Sequence, residues 1–189
     1  MKQNKLTSHQ SITKGACAGV FLLVAAGVSA QNLFVADYST GDVYEIAPNG
    51  TQTTFASGLA EPNGIAFNSA GDLFVGDSDN NTHGVGPLGY ITEITPSGVQ
   101  STFASSVDAQ GLAFNSAGDL FVADYATEVI YEYTPSGARS TFASGLNLPI
   151  SLAFSSAGDL FVGNSGNGTI TEITPTGTQS VFATGLNDP

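Results

Sequence analysis

The residues whose types and spacing could do chemistry are densest in Asp77-Ser-Asp-Asn-Asn-Thr-His-Gly84. Asp77, Asp79 and Asn81 put an oxygen-bearing side chain at every second position, as at the start of a calcium-binding loop. A complete loop of that kind needs glycine sixth and a bidentate glutamate twelfth, and here Thr82 and Leu88 stand there. The stretch therefore predicts either a looser oxygen site for a divalent cation such as calcium or a plain polar surface loop. His83 joins the candidates as a ligand-binding residue. His9 is the chain's other histidine, and it lies in the first 30 residues. Past that point no second imidazole and no cysteine is present to build a Ser/His/Asp or Cys/His assembly, so hydrolysis by a triad has no support. Two further candidates, Asn63 and Gln110, come from comparing repeats.

These residues sit on an internally repeated scaffold. Leu33, Leu73, Leu120 and Leu160 each open a Leu-Phe-Val run, and three of the runs follow an apolar segment ending in Phe67, Phe114 or Phe154. Turn residues separate the segments. Asn68-Ser-Ala-Gly-Asp72 and its copies join the first strand to the second, with Gly71 free to take positive φ. Pro48-Asn-Gly50, Pro96-Ser-Gly98, Pro135-Ser-Gly137 and Pro175-Thr-Gly177 join the third to the fourth. Between them lie third strands at 43–47, 90–95, 129–134 and 169–174, and fourth strands centred on Phe55, Phe103, Phe142 and Phe182. Each unit reads as a four-stranded antiparallel meander.

The aromatic residues say how the units combine. Of 12 phenylalanines, all but Phe21 fall in three columns that repeat from unit to unit. A unit of roughly 40 residues cannot bury both faces of its sheet alone, so the units must stack. Four-stranded sheets at that period predict an all-β fold, a β-propeller with about four blades. The expected blades are 31–58, lacking its first strand, then 59–106, 107–145 and 146–189. Gly185-Leu-Asn-Asp-Pro189 matches Gly58-Leu-Ala-Glu-Pro62, which precedes a first strand, so an incomplete part of a larger, six-bladed type of ring is expected. Open edges of such an arc invite self-association.

Composition narrows the partners. Lys2, Lys5 and Lys14 precede an apolar stretch at 16–28 and small residues at Val28-Ser-Ala30, which predicts a secretory signal peptide cleaved before Gln31. The apolar run is too short to span a bilayer, which takes about 20 residues. Beyond residue 30 only Arg139 opposes 16 carboxylates, a formal charge of −15. Nucleic acid is a poor partner for that surface. With Cys17 in the leader, the secreted chain carries no disulfide.

Pro62-Asn-Gly-Ile-Ala-Phe-Asn-Ser-Ala-Gly-Asp-Leu-Phe-Val-Gly-Asp77 resembles the NHL repeat and the blades of the senescence-marker/gluconolactonase group. The likeness covers residues 31–189. It implies a propeller, and, in its enzymatic branch, a metal-dependent lactonase with a divalent ion held in the central channel by Glu, Asn, Asn and Asp. Asn63, in Pro-Asn-Gly, matches one ligand-bearing motif, whereas its repeat counterparts are Gln110 and Ile150. The residues therefore favour a secreted, non-catalytic binding module that engages a protein, carbohydrate or small molecule through its loops. The metal-dependent lactonase is the alternative, and a propeller fragment without independent function the third reading.

Overall fold

In the computed structural model, residues 32–77 and 89–189 are described in full and residues 20–24 as backbone. Asp79, Asn81 and His83 lie outside the described residues. Among the described residues sixteen strands form four separate sheets, and no helix occurs. The first sheet is β1 (Val20–Val24), β2 (Leu33–Asp37), β3 (Asp42–Ile46) and β4 (Gln52–Ala56). The second is β5 (Pro62–Phe67), β6 (Leu73–Asp77), β7 (Tyr90–Ile94) and β8 (Gln100–Ser105). The third is β9 (Ala109–Phe114), β10 (Leu120–Asp124), β11 (Val129–Tyr133) and β12 (Arg139–Ala143). The fourth is β13 (Pro149–Phe154), β14 (Leu160–Asn164), β15 (Thr169–Ile173) and β16 (Gln179–Ala183). Every pairing is antiparallel and sequential, the four-stranded meander of a propeller blade.

One strand differs from expectation. The first blade should have lacked its innermost strand, yet Val20–Val24 fills that slot, pairing from Val20 opposite Asp37 to Val24 opposite Leu33. Five apolar residues suit a signal's hydrophobic core and an inner strand equally well, so sequence alone does not separate the two roles. The pairing belongs to the uncleaved chain. The other inner strands start at Pro62, Ala109 and Pro149, three residues before the apolar segments that marked them, with a register shift near each start.

The two-residue period of the second strands builds the core. In β10, Leu120 and Val122 point to one side of the sheet while Phe121 and Ala123 point to the other. The Leu/Val side packs against the preceding blade and the Phe/Ala side against the following one. Phe34 meets Phe55 of its own sheet and Phe67 of the next, with centroids 5.1 and 4.9 Å apart and rings edge to face. Phe74 repeats this with Phe103 and Phe114, and Phe121 with Phe142 and Phe154. Each edge-to-face pair adds about 0.5–1.5 kcal/mol beyond the burial of its area. The core is thus three equivalent seams between four sheets.

The first hairpin of each of the last three blades is locked by its own polar residues. Asn68 Oδ1 accepts from the backbone N–H of Ala70 and Asp72, both at 2.9 Å, and its Nδ2 donates to Asp72 Oδ2. Asn115 and Asp119 repeat the arrangement, and Ser155 with Asp159 substitutes a hydroxyl for the amide.

Candidate functional site

Residues at the start of the inner strands and at the end of the second strands share one end of the blades. Neighbouring inner strands approach backbone to backbone there. A Cβ on Gly64 would lie 2.5 Å from the Gln110 carbonyl oxygen, and one on Gly111 2.8 Å from that of Ile150. Asn63, Gln110 and Ile150 therefore stand side by side on consecutive strands. Asn63 is buried and its Nδ2 donates to the Glu61 carbonyl at 3.2 Å. Gln110 Nε2 donates to Asp108 Oδ1 at 2.9 Å. Burial pushes the Asp108 carboxyl above the usual aspartate range, the Gln110 hydrogen bond opposes this, and the charges of Asp124 and Glu61 add to the rise.

Asp108 and Glu61 escaped the reading of the sequence. The available signal was a length change: Val107-Asp-Ala109 is one residue shorter than Leu59-Ala-Glu-Pro62 and lacks its proline. Losing that residue leaves Ser106, Val107 and Asp108 to span from the fourth strand of one blade to the inner strand of the next.

The strand-end acids are structural. A short acceptor at the end of a strand can bond the backbone of the loop that follows it. Asp37 Oδ1 does so, accepting from Ser39 N and Thr40 N, and Asp124 Oδ1 accepts from Thr127 N. Asp77 takes Ala60 N and Glu61 N of the preceding connection, at 2.8 and 2.9 Å, and Asn164 Oδ1 takes Asn147 N. The difference follows the residue opposite. Asp77 and Asn164 face Pro62 and Pro149, which have no N–H, whereas Asp124 and Asp37 face Ala109 and Val20. With no donor across the ladder, the buried acceptor clamps the connection just before the proline. Asp77 thus has both oxygens engaged by backbone, and its proposed cation partners Asp79 and Asn81 lie outside the described residues. Among the described residues no group of three or more His, Cys, Asp or Glu side chains is arranged to hold a metal ion.

The donor set implied for a lactonase ion does not fit the inner-strand column. Asn63 supplies one amide, Gln110 is bonded to Asp108, and the Ile150 side chain has no donor atom.

A cavity of about 380 Å³ opens at the opposite end of the blades, between the second and third sheets. Phe74, Glu93, Phe103, Phe114 and Tyr133 line it, with turn residues at 68–69 and 134–137. Tyr133 stands where the other blades have Ile46, Ile94 and Ile173. Its hydroxyl is buried without a well-formed hydrogen bond, burial raises its pKa, and the nearby Arg139 opposes the rise. The Arg139 guanidinium lies 4.7 Å from the centre of the Tyr131 ring, within cation–π range.

A search of curated protein sequences finds no match. Solved structures do resemble the fold. A candidate gluconolactonase superposes with a TM-score of 0.70 at 17% identity, covering 83% of this chain and 61% of its own. Virginiamycin B lyase from Staphylococcus aureus gives 0.68 at 17% identity, covering 87% and 55%. A chain of a nidogen/laminin complex gives 0.67 at 17%, covering 76% and 55%. The chain thus spans little more than half the length of these proteins, and at this identity the likeness concerns the fold. The sequence itself carries a family signature over residues 24–166, that of the SMP-30/gluconolactonase/LRE-like region. Repeated blades, shared seams and a signature across most of the chain agree: this protein belongs to the SMP-30/gluconolactonase/LRE-like family.

Proposed function

We propose that the chain is a secreted, non-catalytic propeller module that binds a neutral, hydroxyl-rich ligand of saccharide type at the end formed by Glu61, Asn63, Asp108 and Gln110. The observation carrying this reading is the Asp108–Gln110 hydrogen bond beside Asn63, on inner strands where the blades disagree. Two amides and two carboxylates offer donors and acceptors in the mixture that hydroxyl groups satisfy. The local excess of negative charge disfavours an anionic ligand. Secretion is supported by the basic, apolar and small-residue order of the first 30 residues.

Lactonase activity is the second reading, and family membership favours it. It requires an ion that the inner-strand donors do not fit, so no catalytic step is assigned to it.

The two readings separate in one set of measurements. Calorimetric titration of a saccharide panel should show binding that Asp108→Ala and Gln110→Ala weaken together. A lactone and ester screen with Ca²⁺, Mg²⁺ or Zn²⁺ should show no turnover. Metal-dependent turnover lost in Asn63→Ala would overturn the binding-module reading.

A further inference from the structure

The seams between blades follow one rule, and the two outermost sheets each carry half of it. On the following side of a sheet stand the second-strand Phe, a third-strand aliphatic, the fourth-strand Phe and the Leu or Val just beyond. In the first blade these are Phe34, Val43, Phe55 and Leu59, all in one cluster with Leu73, Val75 and Ile94 of the second. The third blade presents Phe121, Ile130, Phe142 and Leu146 to Leu160, Val162 and Ile173 in the same way.

The fourth blade has this half-seam without an occupant among the described residues. Phe161 meets Phe182 at 4.9 Å, and the inner-strand Phe that completes the trio in the other three seams is missing among the described residues. Phe182 is 61% exposed and Leu186 42%, whereas Leu59 is 8% exposed and Leu146 6%. Ile170 is half-buried where Ile91 and Ile130 are fully enclosed. The first blade has the complementary half. Leu33, Val35 and Ile46 are half-buried, while Leu73, Val75 and Ile94 at the same register are 0% exposed.

We propose that the Phe161/Phe182 face of the fourth blade docks onto the Leu33/Val35/Ile46 face of a second copy of this chain, reproducing between molecules the seam that each molecule contains three times. The occupant is specified by the seam itself, because a face built to receive Leu, Val and Ile at that register is met by the same three residue types on blade one. The contact is heterologous, joining two different faces, so it extends head to tail or closes as a ring. It is apolar, and both partners are acidic, so added salt strengthens it by screening their repulsion.

Sedimentation of the full chain over a concentration series tests this. The weight-average mass should rise with concentration, and rise further at higher salt. Phe182→Asp and Leu33→Asp should each weaken association on the order of tenfold or more. Mixed together, they should form pairs and stop, since one retains a working first-blade face and the other a working fourth-blade face. Ile170→Ser and Ile46→Ser mark the same two faces more gently and should give the same pattern if an aspartate variant fails to fold. A full chain that stays monomeric throughout overturns the proposal, as does a mixture that does not pair. Association of Leu33→Asp alone, with Phe182→Asp monomeric, would mean that fourth-blade faces meet each other, and would overturn it equally.

Discussion

One turn position tests whether sterics explain the glycines of the repeat. Gly41, Glu128 and Gly168 occupy corresponding places between second and third strands, with φ of +71°, +58° and +64°. A Cβ on Gly41 would sit 2.2 Å from the Leu59 carbonyl oxygen, and one on Gly168 equally close to that of Leu186. Both glycines also accept a backbone hydrogen bond, from Leu59 N and Leu186 N, each at 3.0 Å. For Gly168→Ala the left-handed backbone costs about 1–2 kcal/mol. Displacing residue 186 forfeits a hydrogen bond worth about 1 kcal/mol. The expected loss is therefore about 2–3 kcal/mol, a fall of roughly 4–12 °C in melting temperature for a chain of this size. Glu128→Gly should move the other way. Relief of about 1–2 kcal/mol of backbone strain is partly offset by glycine's larger unfolded-state entropy, about 0.5–1 kcal/mol. The net gain is about 0–1.5 kcal/mol, readable by urea denaturation followed by circular dichroism. If Gly168→Ala melts with the parent, the clash does not explain the glycine. If Glu128→Gly is destabilising, the Glu128 side chain contributes more than its backbone costs.

Other outcomes follow from the same geometry. Phe121 is 3% exposed between Phe142 and Phe154, so Phe121→Ala should cost about 3–5 kcal/mol by dilute urea titration. Phe161→Ala, with one ring partner on an open face, should cost less than half as much, and equal losses would contradict the seam rule. Asp108 has a folded-state pKa raised chiefly by burial, so its ionised form disfavours the fold. Asp108→Asn should therefore match the parent in stability below the unfolded aspartate pKa and exceed it increasingly as pH rises through the raised folded value; a gain at acidic pH alone would reverse the sign. Tyr133→Phe removes a buried hydroxyl that lacks a well-formed hydrogen bond, and should stabilise by about 1 kcal/mol; a loss of similar size would show that Arg139 satisfies it.

The fold was legible because several independent signals coincide in each unit. Period-two alternation in Leu-Phe-Val-Ala, the Asn-to-Asp hairpin and the Pro-x-Gly turn each specify the same meander, and the phenylalanine columns specify stacking. What escaped was local. Val20–Val24 satisfies two physical descriptions at once, as an apolar leader core and as an inner strand. Asp108 holds the place of Glu61, just before the inner strand, and only a one-residue deletion and a missing proline set its segment apart. The direction in which Asp77 and Asn164 bond depended on the residue across the ladder, a register fact that no local motif contains. Asn63 and Gln110, by contrast, were visible as disagreements between copies, and the structure sets them on adjacent strands.

The departures that bear on the candidate sites are unevenly distributed, and the distribution has a physical cause. Asn63 lies in the second blade, and Asp108, Gln110, Glu128, Tyr133 and Arg139 lie in the third. Those two sheets have a neighbouring sheet on both faces, whereas among the described residues the first and fourth each have a neighbouring sheet on one face. A side chain that departs from the repeat forfeits some packing, and a sheet held on both faces can absorb that loss without moving its backbone. A binding site needs that rigidity, because donors and acceptors on loops hold their geometry only as well as the strands beneath them. Equivalent substitutions in the fourth blade would add to a face already short of contacts. The middle of the arc is therefore where this fold can most easily combine an altered residue with a fixed position, and Asp108 and Gln110 occupy that place.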